Sequence, residues 1–168
     1  MKYLIVVDMQ VDFISGSLGS NLAKAIVLNV VEKVKSFDGK VIFTKDTHFE
    51  DYMNTQEGRN LPVPHCIKDS DGWQICDELK PYADIVIDKL TFGSIDLPNL
   101  IKSFGEPIEK IELCGLCTDI CVISNAIVLK AAFPETLIAV DSSCSAGVSI
   151  ESHNNALNAM KAVQIEII

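Results

Sequence analysis

The 168-residue sequence predicts a single three-layer α/β/α domain (residues 1–168) built on a mostly parallel six-stranded sheet. Three observations predict it. Short β-branched runs alternate with helix-period segments along the chain. Most of those runs are continuously apolar, as in strands covered on both faces. Hydrophobic residues make up 48% of the chain, enough for one sizeable core and too many for a disordered polypeptide.

The strands are expected at 2–7 (KYLIVV), 40–44 (KVIFT), 84–88 (DIVID), 109–113 (EKIEL), 137–140 (LIAV) and 164–168 (QIEII). Helices fall between them. Leu22, Ile26, Val30, Val34 and Phe37 recur at helical spacing after a cap at Ser20 or Asn21. Ile95 to Phe104 is a short helix with Pro98 near its start. Thr118 to Phe133 is apolar almost all round, which predicts a buried helix, and Pro134 stops it. Ile150 to Val163 follows a cap at Ser149 and places His153, Ala156, Leu157 and Met160 on one face, with His153 read as a core histidine. This βαβ rhythm implies right-handed crossovers. Residues 45–83 break it with Gly58, Pro62, Pro64, Gly72, two of the three histidines and the only tryptophan. A connection that long is usually functional.

Charge and cysteines narrow the class. A formal net charge of -9 argues against a nucleic-acid binder and against an anionic membrane surface. No apolar run is long enough to span a bilayer. Leu4 to Val7 is shorter than a secretory core, so a cytoplasmic protein is expected. Its six cysteines (66, 76, 114, 117, 121 and 144) then read as reduced and mostly buried.

In an open parallel sheet, ligands bind beyond the carboxyl ends of the strands. The residues expected there are Asp8, with Gln10 and Asp12 after it, then Asp46 and His48, Asp88-Lys89, the segment Cys114 to Cys121, and Asp141. Cys121 falls in the first turn of a helix, where unpaired N–H groups stabilise a thiolate and can hold an oxyanion. From position alone it reads equally as a nucleophile or a buried small hydrophobe. Asp8 at the end of an apolar strand loses hydration, which raises its pKa and suits a general base; a loop-capping role is the plainer alternative. Lys89 is placed to depress the cysteine pKa, or simply to snorkel to solvent. Asp46 and His48 share a face of an extended segment and, with His65, offer one carboxylate and two imidazoles to a divalent metal. Taken alone, Asp46 also reads as a loop cap, His48 as an exposed polar residue and His65 as a packed loop residue. Cys114 and Cys117 form a Cys-x-x-Cys, but no fourth ligand or second pair is adjacent and Cys114 belongs to a strand, which weakens zinc-knuckle and redox readings.

Four segments, in order, resemble the isochorismatase-like cysteine hydrolases, and the nicotinamidases among them. They are LIVVDMQVDF (4–13), TKDTH (44–48) with LPVPHC (61–66), IDKLTFGS (87–94) and CGLCTDICV (114–122). The resemblance covers nearly the whole chain. It implies Asp8, Lys89 and Cys121 as the catalytic set and Asp46, His48 and His65 as metal ligands. It also implies a cis peptide at Leu116–Cys117, with the amides of Cys117 and Cys121 as oxyanion donors. Phe13 and Phe92 are candidates to sandwich an aromatic ring, and Gln10 to help position the substrate. The implied reaction is hydrolysis of nicotinamide, or of another small amide, carbamoyl or ureido compound in a sister enzyme. The implied cofactor is a divalent ion, zinc first, with iron or manganese accepted by the same donors. A homo-oligomer, by default a symmetric dimer, is expected.

Overall fold

The structure, a computed structural model, describes residues 1–168. Strands β1 (Lys2–Val7), β2 (Lys40–Asp46), β3 (Val86–Lys89), β4 (Lys110–Leu116), β5 (Leu137–Ala146) and β6 (Glu166–Ile167) form one sheet in the order β3-β2-β1-β4-β5-β6. Every pairing is parallel. The helices are α1 (Val11–Ile14), α2 (Asn21–Ser36), α3 (Gln56–Asn60), α4 (Leu97–Ser103), α5 (Ile123–Ala132) and α6 (Ile150–Ala162).

The two-residue period of β1 sorts the core into two halves. Tyr3, Ile5 and Val7 pack with residues of α4, α5 and α6, among them Ile101, Leu129 and Met160. Leu4 and Val6 face the other way, toward Ile26, Val30 and Val34 of α2. Each fully buried aliphatic side chain contributes roughly 1.5–3 kcal/mol, so these two layers hold the sheet from both sides. The Ser20 hydroxyl caps α2 by accepting the Ala23 N–H at 3.0 Å. Ser149 and Ser152 cap α6 reciprocally. Pro98 sits in the first turn of α4, where its missing N–H costs nothing.

The structure departs from the sequence reading in four places. Strand five does not stop at Asp141: β5 runs on to Ala146, with a register irregularity against β4 between Leu113 and Gly115. Asp141 therefore lies inside the strand, where Lys33 pairs with it at 2.8 Å, and it takes no part in the site. The predicted helix from Thr118 opens as a wide π-type turn, Thr118–Val122, before α5 begins. That helix is not buried all round, because it covers the outside of the sheet and leaves Ile127 47% exposed. The third strand begins two residues later than expected and ends one later, and the sixth shortens to Glu166–Ile167. No helix is long and apolar enough to cross a membrane.

β1 is flanked by β2 on one side and β4 on the other. Connections leave these strands in opposite directions across the sheet, which opens a crevice beyond the carboxyl ends of β1 and β4. Asp8 follows one of those ends and Cys121 the other.

Candidate active site

Asp8 is fully buried at the first position after β1, with φ at 49°, the left-handed region that few non-glycine residues occupy. Strain of this kind collects at functional positions. Its two oxygens have different neighbours. The Thr44 hydroxyl, from β2, donates to Oδ1 at 2.6 Å. The Lys89 ammonium, from the end of β3, lies 2.7 Å from Oδ2, as an ion pair rather than an aligned hydrogen bond. Lys89 Nζ also lies 3.4 Å from Cys121 Sγ and 2.9 Å from Asp46 Oδ1. Four strand ends thus converge on one buried ammonium. Gly115 makes room for the turn that carries Cys121: its φ is 116°, and a Cβ there would run into the Val7 carbonyl. The Leu116–Cys117 peptide that follows is cis.

Burial pushes the Asp8 carboxyl above its ordinary value; Lys89 opposes this and Asp46 adds to it. Burial also pushes the Cys121 thiol well up, and the Asp8 charge pushes further, against the pull of Lys89. Burial alone would lower Lys89, but Asp8, Cys121 and Asp46 hold it charged, well above its usual value. The expectation that Lys89 and the helix start depress the cysteine pKa is therefore corrected. Desolvation and a carboxylate neighbour outweigh them. Lys89 is thus held charged between a buried carboxyl and a buried thiol, both pushed toward their protonated forms. Contact with Lys89, not acidity, sets Cys121 apart from the other thiols. Cys114 is wholly buried in β4, and burial raises Cys117 to about 12.

Asp46, His48 and His65 converge as well, and Glu57 of α3 joins them. One ligand atom from each lies within 4.8 Å of all the others. His48 Nε2 is 2.9 Å and His65 Nε2 3.5 Å from Asp46 Oδ2, while Glu57 Oε1 is 3.6 Å and 3.7 Å from the same two nitrogens. The tautomer of His65 tests the fit to a metal. Its Nδ1 faces the Val63 carbonyl at 2.8 Å, so Nδ1 donates and the Nε2 lone pair faces the carboxylates. A lone pair among carboxylate oxygens calls for a cation, either a proton or a metal ion. Burial alone would lower His65, but the Asp46 bond and the Val63 carbonyl raise it, so the protein favours a positive charge here. Two imidazoles and two carboxylates suit a divalent transition metal. Tyr52 packs edge-on against both imidazoles, with ring centroids at 4.8 and 5.1 Å.

Both groups meet at one cavity of about 280 Å³. Asp46, Glu57 and His65 lie on its wall with Cys117 and Cys121, and Phe13 and Phe92 also line it. Gln10 does not. Its Nε2 donates to the carbonyls of Asp46 and Trp73, both at 2.9 Å, and its Oε1 accepts the Asp46 N–H at 2.8 Å. With every amide atom bonded to backbone, Gln10 positions Asp46 and has nothing left for a substrate. His153 is half-buried and bonds the Thr118 hydroxyl through Nδ1 at 2.8 Å. Sequence reasoning missed Glu57, Thr44 and Asn125. The Asn125 side chain ties the Cys121 and Phe92 carbonyls and the Ser94 N–H together, at 2.8 to 3.1 Å. An asparagine within an otherwise apolar helix was its visible signal.

Fold and site together define an α/β enzyme with a cysteine, an acid and a lysine at the switch point of a parallel sheet. The isochorismatase domain model matches residues 2–168, so the chain belongs to the isochorismatase family, and it is a hydrolase. A nicotinamidase of Schizosaccharomyces pombe is 27% identical over 98% of this chain and 91% of its own. Among solved structures, a pyrazinamidase of Pyrococcus horikoshii in complex with zinc superposes with a TM-score of 0.86 at 26% identity, covering 99% of this chain and 98% of that one. A pyrazinamidase/nicotinamidase of Streptococcus mutans gives 0.83 at 27% identity over the full length of both chains.

Proposed function

We propose that this chain hydrolyses nicotinamide to nicotinate and ammonia through a thioester on Cys121. The observation that carries the reading is Lys89, whose ammonium touches Asp8, Cys121 and Asp46 at once, at 2.7, 3.4 and 2.9 Å. It fixes the reacting cysteine against the acid and couples both to the metal-type cluster at one cavity. The cavity is small for a ligand site, which suits a single heteroaromatic ring between Phe13 and Phe92. The amide-cleaving relatives with the same fold support the same reading.

In the proposed sequence the Cys121 proton passes to Asp8 as sulfur bonds the amide carbon. The backbone N–H groups of Cys117 and Cys121 hold the oxyanion, and Lys89 holds the charge of the thiolate as it forms. When the C–N bond breaks, protonated Asp8 gives its proton to the departing nitrogen, which leaves as ammonia. Water then loses a proton to Asp8 and attacks the thioester. Sulfur leaves and recovers that proton from Asp8. A raised Asp8 pKa suits both halves, since the group must accept and return a proton near neutral pH. Asp46, His48, Glu57 and His65 would hold a divalent ion, zinc first, which would supply Lewis-acid chemistry when bound. The reaction belongs in the cytoplasm, where a free thiol persists.

Ammonia release from nicotinamide tests this, with carbamoyl and ureido compounds run in parallel. The zinc-loaded protein is expected to release ammonia from nicotinamide, and Cys121→Ala is expected to lose this. Release only from a carbamoyl or ureido compound would overturn the substrate and leave the cysteine chemistry.

A further inference from the structure

The four metal-type ligands are divided between two cavities. Asp46, Glu57 and His65 line the substrate cavity, whose other walls include Phe13, Leu18, Leu116 and Val148. His48 and Glu57 line a second, more open cavity of about 590 Å³, walled also by Thr55, Gln56, Asn60 and Thr91 and, on its apolar side, by Leu90. Glu57, Leu61, Phe92 and Ile120 belong to both walls. The ligands also differ in access. The Glu57 side chain is 20% exposed, against 7% for His48, 4% for Asp46 and 2% for His65.

A hydrated divalent ion keeps its waters until protein ligands replace them, and stripping it against an apolar wall is costly. Hydroxyls and amides can carry those waters; phenyl and aliphatic groups cannot. We infer that the metal ion enters and leaves through this second, more open and more polar cavity, with Glu57 as the first ligand it meets, while the substrate uses the more apolar one. The inference rests on reading Asp46, His48, Glu57 and His65 as the metal set. It assigns the second cavity a role of its own and separates metal exchange from substrate traffic. Glu57 sits on α3, whose start is fixed by the Thr55 hydroxyl accepting the Gly58 N–H at 3.0 Å, so the first ligand and the wall residues Gln56 and Asn60 share one short helix.

The test uses the full chain loaded with zinc and follows transfer of zinc to a chromogenic chelator by stopped flow. Asn60→Trp and Gln56→Trp narrow the polar cavity from two exposed positions, and Val148→Trp narrows the apolar one. Both polar-cavity variants are expected to slow zinc release and reloading by about tenfold or more, with the same equilibrium affinity and stoichiometry. Val148→Trp is expected to leave zinc exchange at the wild-type rate. Glu57→Gln should slow loading, since the first ligand has lost its charge. Exchange unchanged in both polar-cavity variants, or slowed equally by Val148→Trp, overturns the route. Failure of the wild-type chain to bind zinc stoichiometrically overturns the metal site and the route together, so the two failures are distinguishable.

Discussion

Thr44 donates to Asp8 Oδ1 while Lys89 faces Oδ2, so the carboxylate cannot rotate without losing one of them. Thr44→Val keeps the shape and removes the donor. A hydrogen bond to a charged group is worth about 1.5–3 kcal/mol, so kcat/KM should fall by about ten- to a hundredfold. Steady-state ammonia release beside a thermal melt separates this from a loss of folding. Charged residues that end an apolar strand were visible in the sequence, but Asp8, Asp46 and Lys89 taken singly also read as loop caps and a snorkelling lysine. Cys121 was ambiguous too, since a free cysteine is as readily packing as chemistry, and only the order of the four segments separated the two readings. Thr44 and Glu57 were not legible. Threonine is an ordinary strand residue, and an acid on a one-turn helix in a long loop reads as surface. Gln10 was read as a residue near the site, but which way its amide points is decided by backbone partners that no sequence shows.

Within the elements, Lys33 of α2 bridges Glu112 of β4 and Asp141 of β5, both at 2.8 Å, and so pins that helix across two strands. Burial alone would raise the two carboxyls, but bonds and charge from Lys33 outweigh it and hold both below their ordinary values. A depressed folded pKa contributes stability above the unfolded value, about 4 for these groups, and loses it as pH falls through the folded values. The stability difference between the wild type and Lys33→Met should therefore be largest near neutral pH and shrink below about pH 4, as read by denaturant unfolding across pH. A difference independent of pH would show that Lys33 acts through packing of its stem alone. The strand runs and helix caps were legible here, because continuous apolar segments and serine caps are local signals. The extension of β5 through Ser142 to Ser145 was not. Its apolar run ends at Val140, and pairing with β4 resumes only after the irregularity, where Ser145 and Ala146 meet Gly115 and Leu116.

Across the whole molecule, residues 45–83 are the one stretch that broke the βαβ rhythm, and they supply His48, Glu57 and His65. They are pinned over the site: Val11 N–H donates to the Gln74 carbonyl and Cys76 N–H to the Met9 carbonyl, both at 2.9 Å. The cluster of Asp46, His48, Glu57 and His65 is thus also a clasp between this excursion and the sheet. Zinc binding should raise the melting temperature in a concentration-dependent way. It should also release protons near neutral pH, because His65 favours its charged form without the ion, and affinity should fall as pH falls. Calorimetry in buffers of different ionisation enthalpy reads the proton count. Zinc binding with neither effect would contradict a ligand role for His65.

The proposal that Cys121 carries an acyl group is tested most directly by partition. Nicotinamide and methyl nicotinate are supplied separately to the zinc-loaded protein with hydroxylamine present, and hydroxamate and nicotinate are measured. A common thioester predicts the same product ratio from both substrates, since the leaving group has gone before the ratio is decided, and no product from Cys121→Ala. A ratio that changes with the leaving group, or products formed without Cys121, would contradict it.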